Sequence, residues 1–380
     1  MACPCQGFLP LDDLRQALVH SRGFKMARSV LLSVIVLVTL MSSIYAHAED
    51  DKRKNYAFAP IIISNPNIGS GLGATGMYFF DVGEKQEGQP RSSAQLIGGY
   101  TNTDSYFAGL LTSLYMRQDR IRSTAGIFHA RINNEYRDPL GGEADFSTEV
   151  LAAYCQATYR LWDDWFLGGQ ALVTDVVYKP DTPQDADYLD RVGAKDTTAG
   201  GIGPVLTYDT RDNIHYPSSG TLVEVKGFFK PEAWGNEDDY AVGDVAMNHF
   251  IPLSEKHILA LRGYGRTGTE NTPYSDKSRL GQRSDLRGFK SGEISGRTLL
   301  SGQVEYRWQF TQRWGAVAFG GLAKLWDEDL EDLITKDIYY SGGVGIRYMI
   351  NTDQKLNFRV DVAVGNGDNK GLYVGIREAF

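Results

Sequence analysis

Cysteine is scarce in this sequence. Three occur in 380 residues, and Cys3 and Cys5 sit in a stretch that reads as an upstream extension, so Cys155 alone belongs to the body of the chain. No Cys-x-x-Cys pair or spaced Cys/His cluster is left, which excludes a disulfide scaffold and zinc sites of the usual spacing. Long apolar runs are missing as well. After residue 50 none approaches the roughly 18 to 20 residues of a membrane helix, so a helical bundle in the membrane is excluded. Basic excess is also lacking. A formal charge of −8 and an isoelectric point near 5.4 argue against nucleic acid as a partner.

What the chain has instead is glycine and tyrosine, 42 and 21 residues. A mean hydropathy of −0.30 suits a soluble protein, but equally a transmembrane barrel, because only every second residue of a barrel strand faces lipid. The N-terminus supplies a compartment. From Met26 the chain reads "MARSVLLSVIVLVTLMSSIYAHAED", with basic Arg28, an apolar core from Val30 to Leu40, and Ala46-His47-Ala48 as a small-x-small cleavage site. The expectation is an upstream extension at 1–25, a secretory signal peptide at 26–48, a short periplasmic lead at 49–55 and a barrel at 56–380.

Beyond residue 55 the pattern alternates with period two over segments of about ten residues, the mark of a membrane-spanning strand. In "LNFRVDVAVG", Leu356, Phe358, Val360, Val362 and Val364 share one face, and Asn357, Arg359, Asp361 and Ala363 the other. In "QVEYRWQF", Val304, Tyr306, Trp308 and Phe310 face lipid, while Gln303, Glu305, Arg307 and Gln309 face water. Trp162, Trp165 and Trp314 fall at turns, as an aromatic girdle requires. About sixteen such segments, from 56–64 to 371–380, predict an all-β, antiparallel, outer-membrane type barrel.

Short connections ("RQDR", "WDDW", "PLSEK", "TQRW", "NTDQ") alternate with long ones, notably 268–298 and "DEDLEDLITKD". Since periplasmic turns are short and outer loops long, both termini are expected in the periplasm. "GEKQEGQPR", at 83–91, is long for a periplasmic turn. Pro60, in the first segment, suits an edge strand because it removes a ladder hydrogen bond.

Three stretches resemble one family. "LRGF" at 286–289 is similar to the sixth extracellular loop signature of the BamA/TamA superfamily, the bacterial surface antigens. "YDTRDNIHYPSSGTLVEV" resembles that family's hairpin, with Asp209, Arg211, Asp212, Pro217 and Gly220 at the matching positions. "GLYVGIREAF" resembles an outer-membrane assembly signal, carried by Tyr373, Gly375, Ile376 and Phe380. The resemblance implies a loop folded back into the lumen, held by an ion pair between Arg287 and an inner-wall acid, for which Glu305 is the expected partner. It implies that Gly288 permits close backbone approach and that Phe289 packs on the wall. A second acid, supplied in the family from the next strand, has Gly321 at its place, with Asp327 nearer the rim. Alternation puts Leu372, Val374, Ile376, Glu378 and Phe380 on the lipid face, and Tyr373, Gly375 and Arg377 in the lumen. Only about seven residues separate Ala48 from the first strand, which resembles barrel-only members without POTRA modules.

No catalytic constellation is expected: of His129, His215, His249 and His257, only His129 heads outward, and no Ser or Asp pattern accompanies it. The run of Asp327, Glu328, Asp329, Glu331, Asp332 and Asp337 reads as a solvated outer loop, open to cation bridging to lipopolysaccharide, without the spacing of a dedicated calcium site. No cofactor or metal is expected. The functional expectation is a barrel that assists insertion or translocation of proteins or lipids; the alternative is a passive porin or structural barrel plugged by its own loop. Expected partners are membrane lipids, lipopolysaccharide, the barrel assembly machinery, and client proteins or lipids.

Overall fold

The computed structural model describes residues 55–65, 69–83, 89–137, 143–191, 195–273, 276–281, 285–289, 294–327, 338–367 and 369–380. The expected extension, the signal peptide, the lead except Asn55, and residues 328–337 of the acidic run lie outside them. So do residues 84–88 of the long turn.

Sixteen strands follow one another in a single antiparallel sheet. In chain order they are β1 (Tyr56–Asn65), β2 (Gly69–Phe80), β3 (Ser92–Thr101), β4 (Tyr106–Met116), β5 (Ile121–Arg137), β6 (Glu143–Trp162), β7 (Trp165–Pro180), β8 (Thr197–Asp209), β9 (Gly220–Lys230), β10 (Tyr240–Ser254) and β11 (His257–Gly268). After a long connection come β14 (Thr298–Gln309), β15 (Trp314–Trp326), β16 (Tyr339–Asn351), β17 (Leu356–Gly365) and β18 (Lys370–Ile376). That connection carries a two-residue ladder of its own, β12 (Ser278–Arg279) with β13 (Ser295–Gly296).

The architecture is a nearly closed barrel. β1 and β18 are the two edges and approach one another, but no backbone ladder joins them among the described residues. Pro60 lies within β1, opposite Ala74, where its missing N–H weakens no interior ladder.

Alternation on β14 holds residue by residue. Val304, Tyr306 and Trp308 are exposed on the outer face, and Gln303, Glu305 and Arg307 are buried on the inner one. On β17, Val362 and Val364 are exposed outside; Leu356, Phe358 and Val360 share their face by register but are buried.

The two ends of the barrel differ. At the turn end, Trp162 and Trp165 lie 6.4 Å apart, Trp165 and Tyr208 4.9 Å, and Trp314 and Tyr348 4.8 Å, a ring belt of the kind that favours a membrane boundary. At the loop end, β5, β6 and β7 run to 17, 20 and 16 residues, beyond the 9 to 11 or so that cross a bilayer.

The connection after β7 contains the helix α1 (Pro183–Arg191). Its start is a reciprocal cap: the Thr182 amide and hydroxyl donate to Asp185 at 2.9 and 2.6 Å, and the Asp185 amide donates back to the Thr182 hydroxyl at 3.3 Å. Thr182, Pro183 and Asp185 form a helix-start signal that periodicity alone passes over.

A charged plug in the lumen as candidate functional site

Arg287 descends from the loop end into the barrel and is 1% exposed. Its Nη2 donates to Glu305 Oε2 at 2.6 Å and its Nη1 to Asp361 Oδ2 at 2.9 Å, while the guanidinium carbon sits 3.4 Å from the centre of the Phe319 ring. The expected pair with Glu305 is therefore present. The fork is divided between two carboxylates from two strands, rather than closed bidentately on one.

The neighbours of Arg287 set its depth. Gly288 has a φ of 107°, and a Cβ there would stand 3.1 Å from the backbone carbon of Val364, so glycine serves both a left-handed backbone and close approach to β17. The Gly288 amide donates to the Tyr373 hydroxyl on β18 at 2.8 Å. Phe289 meets Tyr339 edge-on at 5.9 Å and joins a buried cluster with Leu280, Leu286, Leu299 and Leu325.

The second acid comes from β17, two strands beyond the position that the family pattern suggested. Gly321 leaves room for the loop itself: a Cβ there would lie 2.7 Å from a Leu286 methyl. Asp327, the rim candidate, pairs instead with Lys277 at 3.0 Å. Asp361 was legible as a lumen-facing residue, but nothing along the chain brings it to Arg287.

The C-terminus departs from the expected alternation. β18 ends at Ile376, and Arg377 takes a φ of 71°. A left-handed residue breaks the two-residue period, so the chain turns inward. Glu378 and Phe380, expected on the lipid face, lie in the lumen. Glu378 accepts from Arg347 Nε at 2.6 Å and from Asn357 Nδ2 at 2.7 Å. The Phe380 ring packs against Tyr216, Phe250, Ile258 and Ala260. Tyr373 faces inward as expected, Ile376 pairs with Phe358 in the last ladder, and Gly375 sits beside Arg359.

The hairpin between β8 and β9 closes the turn end. Asp209 accepts from Arg211 at 2.8 Å and from Arg122 of β5 at 2.6 Å. Asp212 accepts from the Ser218 and Ser219 amides at 2.8 and 3.1 Å; burial opposes ionisation there, but the Ser218 hydroxyl and these amides hold its carboxyl below the usual range. Gly220 has a φ of 96°, and a Cβ would collide with the Thr210 carbonyl oxygen at 2.2 Å. His215 is buried, and desolvation, reinforced by Arg377 and Arg211, lowers its pKa to about 3. Beside the hairpin is a cavity of about 500 Å³, with Arg91, Arg122, Arg160, Arg211 and His215 on its walls.

One residue joins all three motifs. Arg307, buried on β14, donates from Nε to Glu305 at 2.8 Å, from Nη1 to the Pro217 carbonyl at 3.4 Å and from Nη2 to the main-chain oxygen of Phe380 at 2.9 Å. Arg347 plays the parallel part on the other side, holding Asp361 at 2.5 Å and Glu378 at 2.6 Å. Isolated charges in such a setting are costly, and mutual pairing offsets that cost. Arg307 faces the lumen in the sequence pattern; two of its three partners, 73 and 90 residues away, leave no local signal. The histidines are engaged in structural contacts: His129 lies against Tyr106 at 5.7 Å, and His249 bonds the Thr221 hydroxyl at 2.8 Å.

Solved structures share this architecture. BamA from Haemophilus ducreyi lacking POTRA domains 1–3 matches over 86% of this chain and 71% of its own, at 14% identity and a TM-score of 0.54. CdiB from Escherichia coli matches over 86% of this chain and 63% of its own, at 12% identity and a TM-score of 0.61. CdiB from Acinetobacter baumannii matches over 84% and 58%, at 10% identity and a TM-score of 0.55. At such identities the likeness concerns the fold. The Omp85 superfamily domain matches residues 98–380, a span that takes in the lumen loop, the hairpin and the C-terminal segment, and this chain belongs to the Omp85 superfamily.

Proposed function

We propose that this protein is an outer-membrane barrel of Gram-negative bacteria that assists the insertion or translocation of proteins or lipids, working at the seam between β1 and β18. The observation that carries the reading is the unladdered seam. Two edge strands lie side by side with no backbone ladder between them among the described residues, and unpaired strand edges are templates for another strand or an opening in the wall. The lumen is occupied at the same time by the buried loop and tail, which suits a device that is closed at rest.

In this reading the turn end and both termini face the periplasm, and the long connections face outward. The exposed apolar belt meets lipid, the loop end meets lipopolysaccharide, and the barrel assembly machinery inserts the protein. Clients are outer-membrane proteins or lipids. The plug itself favours one other reading, a passive structural barrel, because a fully buried ion network is also a good permanent seal.

Liposomes carrying the purified protein separate these. Under the first reading they accelerate the folding of a second, urea-unfolded barrel protein or scramble a fluorescent phospholipid, with little ion conductance. Conductance without either activity indicates a porin, and none of the three indicates the passive barrel; either result would overturn the proposal.

A further inference from the structure

We propose that the C-terminal segment 377–380 is a latch on the lumen loop, so that loop and tail dock and release together. Such coupling would operate whatever the barrel moves. The charges are divided between the wall, the loop and the tail.

The wall alone contributes Arg307, Arg347 and Arg359, against Glu305 and Asp361. All five side chains are in one contact network: Arg307 to Glu305 at 2.8 Å, Arg347 to Asp361 at 2.5 Å and to Glu305 at 3.8 Å, and Arg359 to Asp361 at 3.2 Å. Three cations against two anions leave one positive charge in excess. Arg287 from the loop adds a second to a wall that is already positive. Glu378 from the tail removes one, through its 2.6 Å contact with Arg347.

The sign of the coupling follows. A cation docks poorly on a positive site and better once that excess is removed, and the effect is large where water is excluded. With the tail in place, the positive excess on the wall is gone and it receives Arg287. With the tail gone, Arg347 turns on Asp361 and Glu305 in competition with Arg287. The converse also holds, because a docked Arg287 makes the wall more attractive to Glu378.

Geometry adds a direct contact to the electrostatic one. The Phe380 ring, 6.0 Å from the Arg287 guanidinium and 5.7 Å from that of Arg307, lies across the lumen from its own strand, on β10, β11 and the hairpin residue Tyr216. Arg307 bridges Glu305, which holds the loop, to the main-chain oxygen of Phe380 in the tail. The bend at Arg377 that directs this tail inward is also where β18 ends, so freeing the latch frees the strand end that borders the seam.

The test uses the full protein in detergent micelles, with Cys3, Cys5 and Cys155 changed to serine and Ala379→Cys as a reporter. Glu378→Gln, distant from the loop in sequence, should speed proteolysis within 268–298 by about 5- to 150-fold, the usual range of such couplings. Arg287→Gln should raise maleimide labelling at position 379 by a similar factor, since coupling between two docking events is reciprocal. Proteolysis within twofold of the parent in Glu378→Gln, or labelling unmoved by Arg287→Gln, would overturn the latch. Should either charge variant fail to give the heat-modifiable band of a folded barrel, Phe289→Ala loosens the loop without touching a charge. It must then raise labelling at 379, and unchanged labelling would overturn the proposal equally.

Discussion

Arg287 and Asp361, 74 residues apart in the chain, form a 2.9 Å ion pair with both side chains buried. Each acid of the clamp serves several arginines: Glu305 meets Arg287, Arg307 and Arg347, and Asp361 meets Arg287, Arg347 and Arg359. Removing one acid therefore strands several cations, whereas removing Arg287 leaves both acids paired.

The first prediction is an asymmetry. Glu305→Ala and Asp361→Ala should each cost about 3 to 5 kcal/mol, the range for breaking a buried pair, and Arg287→Ala should cost less than either. Combining Arg287→Ala with Asp361→Ala should cost less than the sum, because one stranded charge is removed with its partner. Arg287→Lys should rescue partly, since an ammonium cannot span two carboxylates as a planar fork does. Thermal loss of the folded gel band measures all of these. Equal costs for the three single variants, or strict additivity, would mean that the carboxylates are not shared.

Tyr373 isolates the loop's backbone contact from its charges. Tyr373→Phe removes the acceptor of the 2.8 Å bond from the Gly288 amide and should cost about 0.5 to 1.5 kcal/mol. Hydrogen exchange at Gly288 should quicken while global stability changes little. Unaltered exchange there would show that the loop is held by Arg287 and Phe289 alone.

Two glycines should differ in cost. Gly220 combines a φ of 96° with a Cβ position 2.2 Å from the Thr210 carbonyl oxygen, whereas at Gly288, with a φ of 107°, the nearest atom would be 3.1 Å away. Left-handed strain costs about 1 to 3 kcal/mol at each, and the much closer backbone contact adds more to it at Gly220. Gly220→Ala should thus impair folding yield more than Gly288→Ala, while Gly288→Ala should act on loop protection. The reverse ranking would place the hairpin's rigidity elsewhere.

Acid should loosen the hairpin through His215. Its pKa falls from 6.5 to about 3 on folding, because burial disfavours the imidazolium beside Arg377 and Arg211. Between those values the unfolded state binds a proton that the native state does not, so stability is lost as pH falls from about 6.5 towards 3. At pH 5 the loss should be about 1 to 2 kcal/mol. His215→Gln should flatten this part of the stability profile. A profile in the variant that keeps its full slope would assign the acid sensitivity to other groups.

The sequence by itself determined the wall. A two-residue period sends Glu305 and Arg307 inward and Val304 and Tyr306 outward, and short turns alternating with long connections set the strand order, because both are local properties of an extended chain. The family resemblance marked Gly288 as a position of close backbone approach. Tertiary structure decided the contents of the lumen. Asp361 rather than a residue of β15 completes the clamp, because the curvature of the sheet brings β17 and β14 around one guanidinium, a distance relation that no local spacing encodes. The fate of Phe380 turned on a single dihedral angle at Arg377. Alternation holds only while the backbone stays extended, and the buried charges of Arg307 and Arg347, each short of a partner without the tail, favour the bend that ends it.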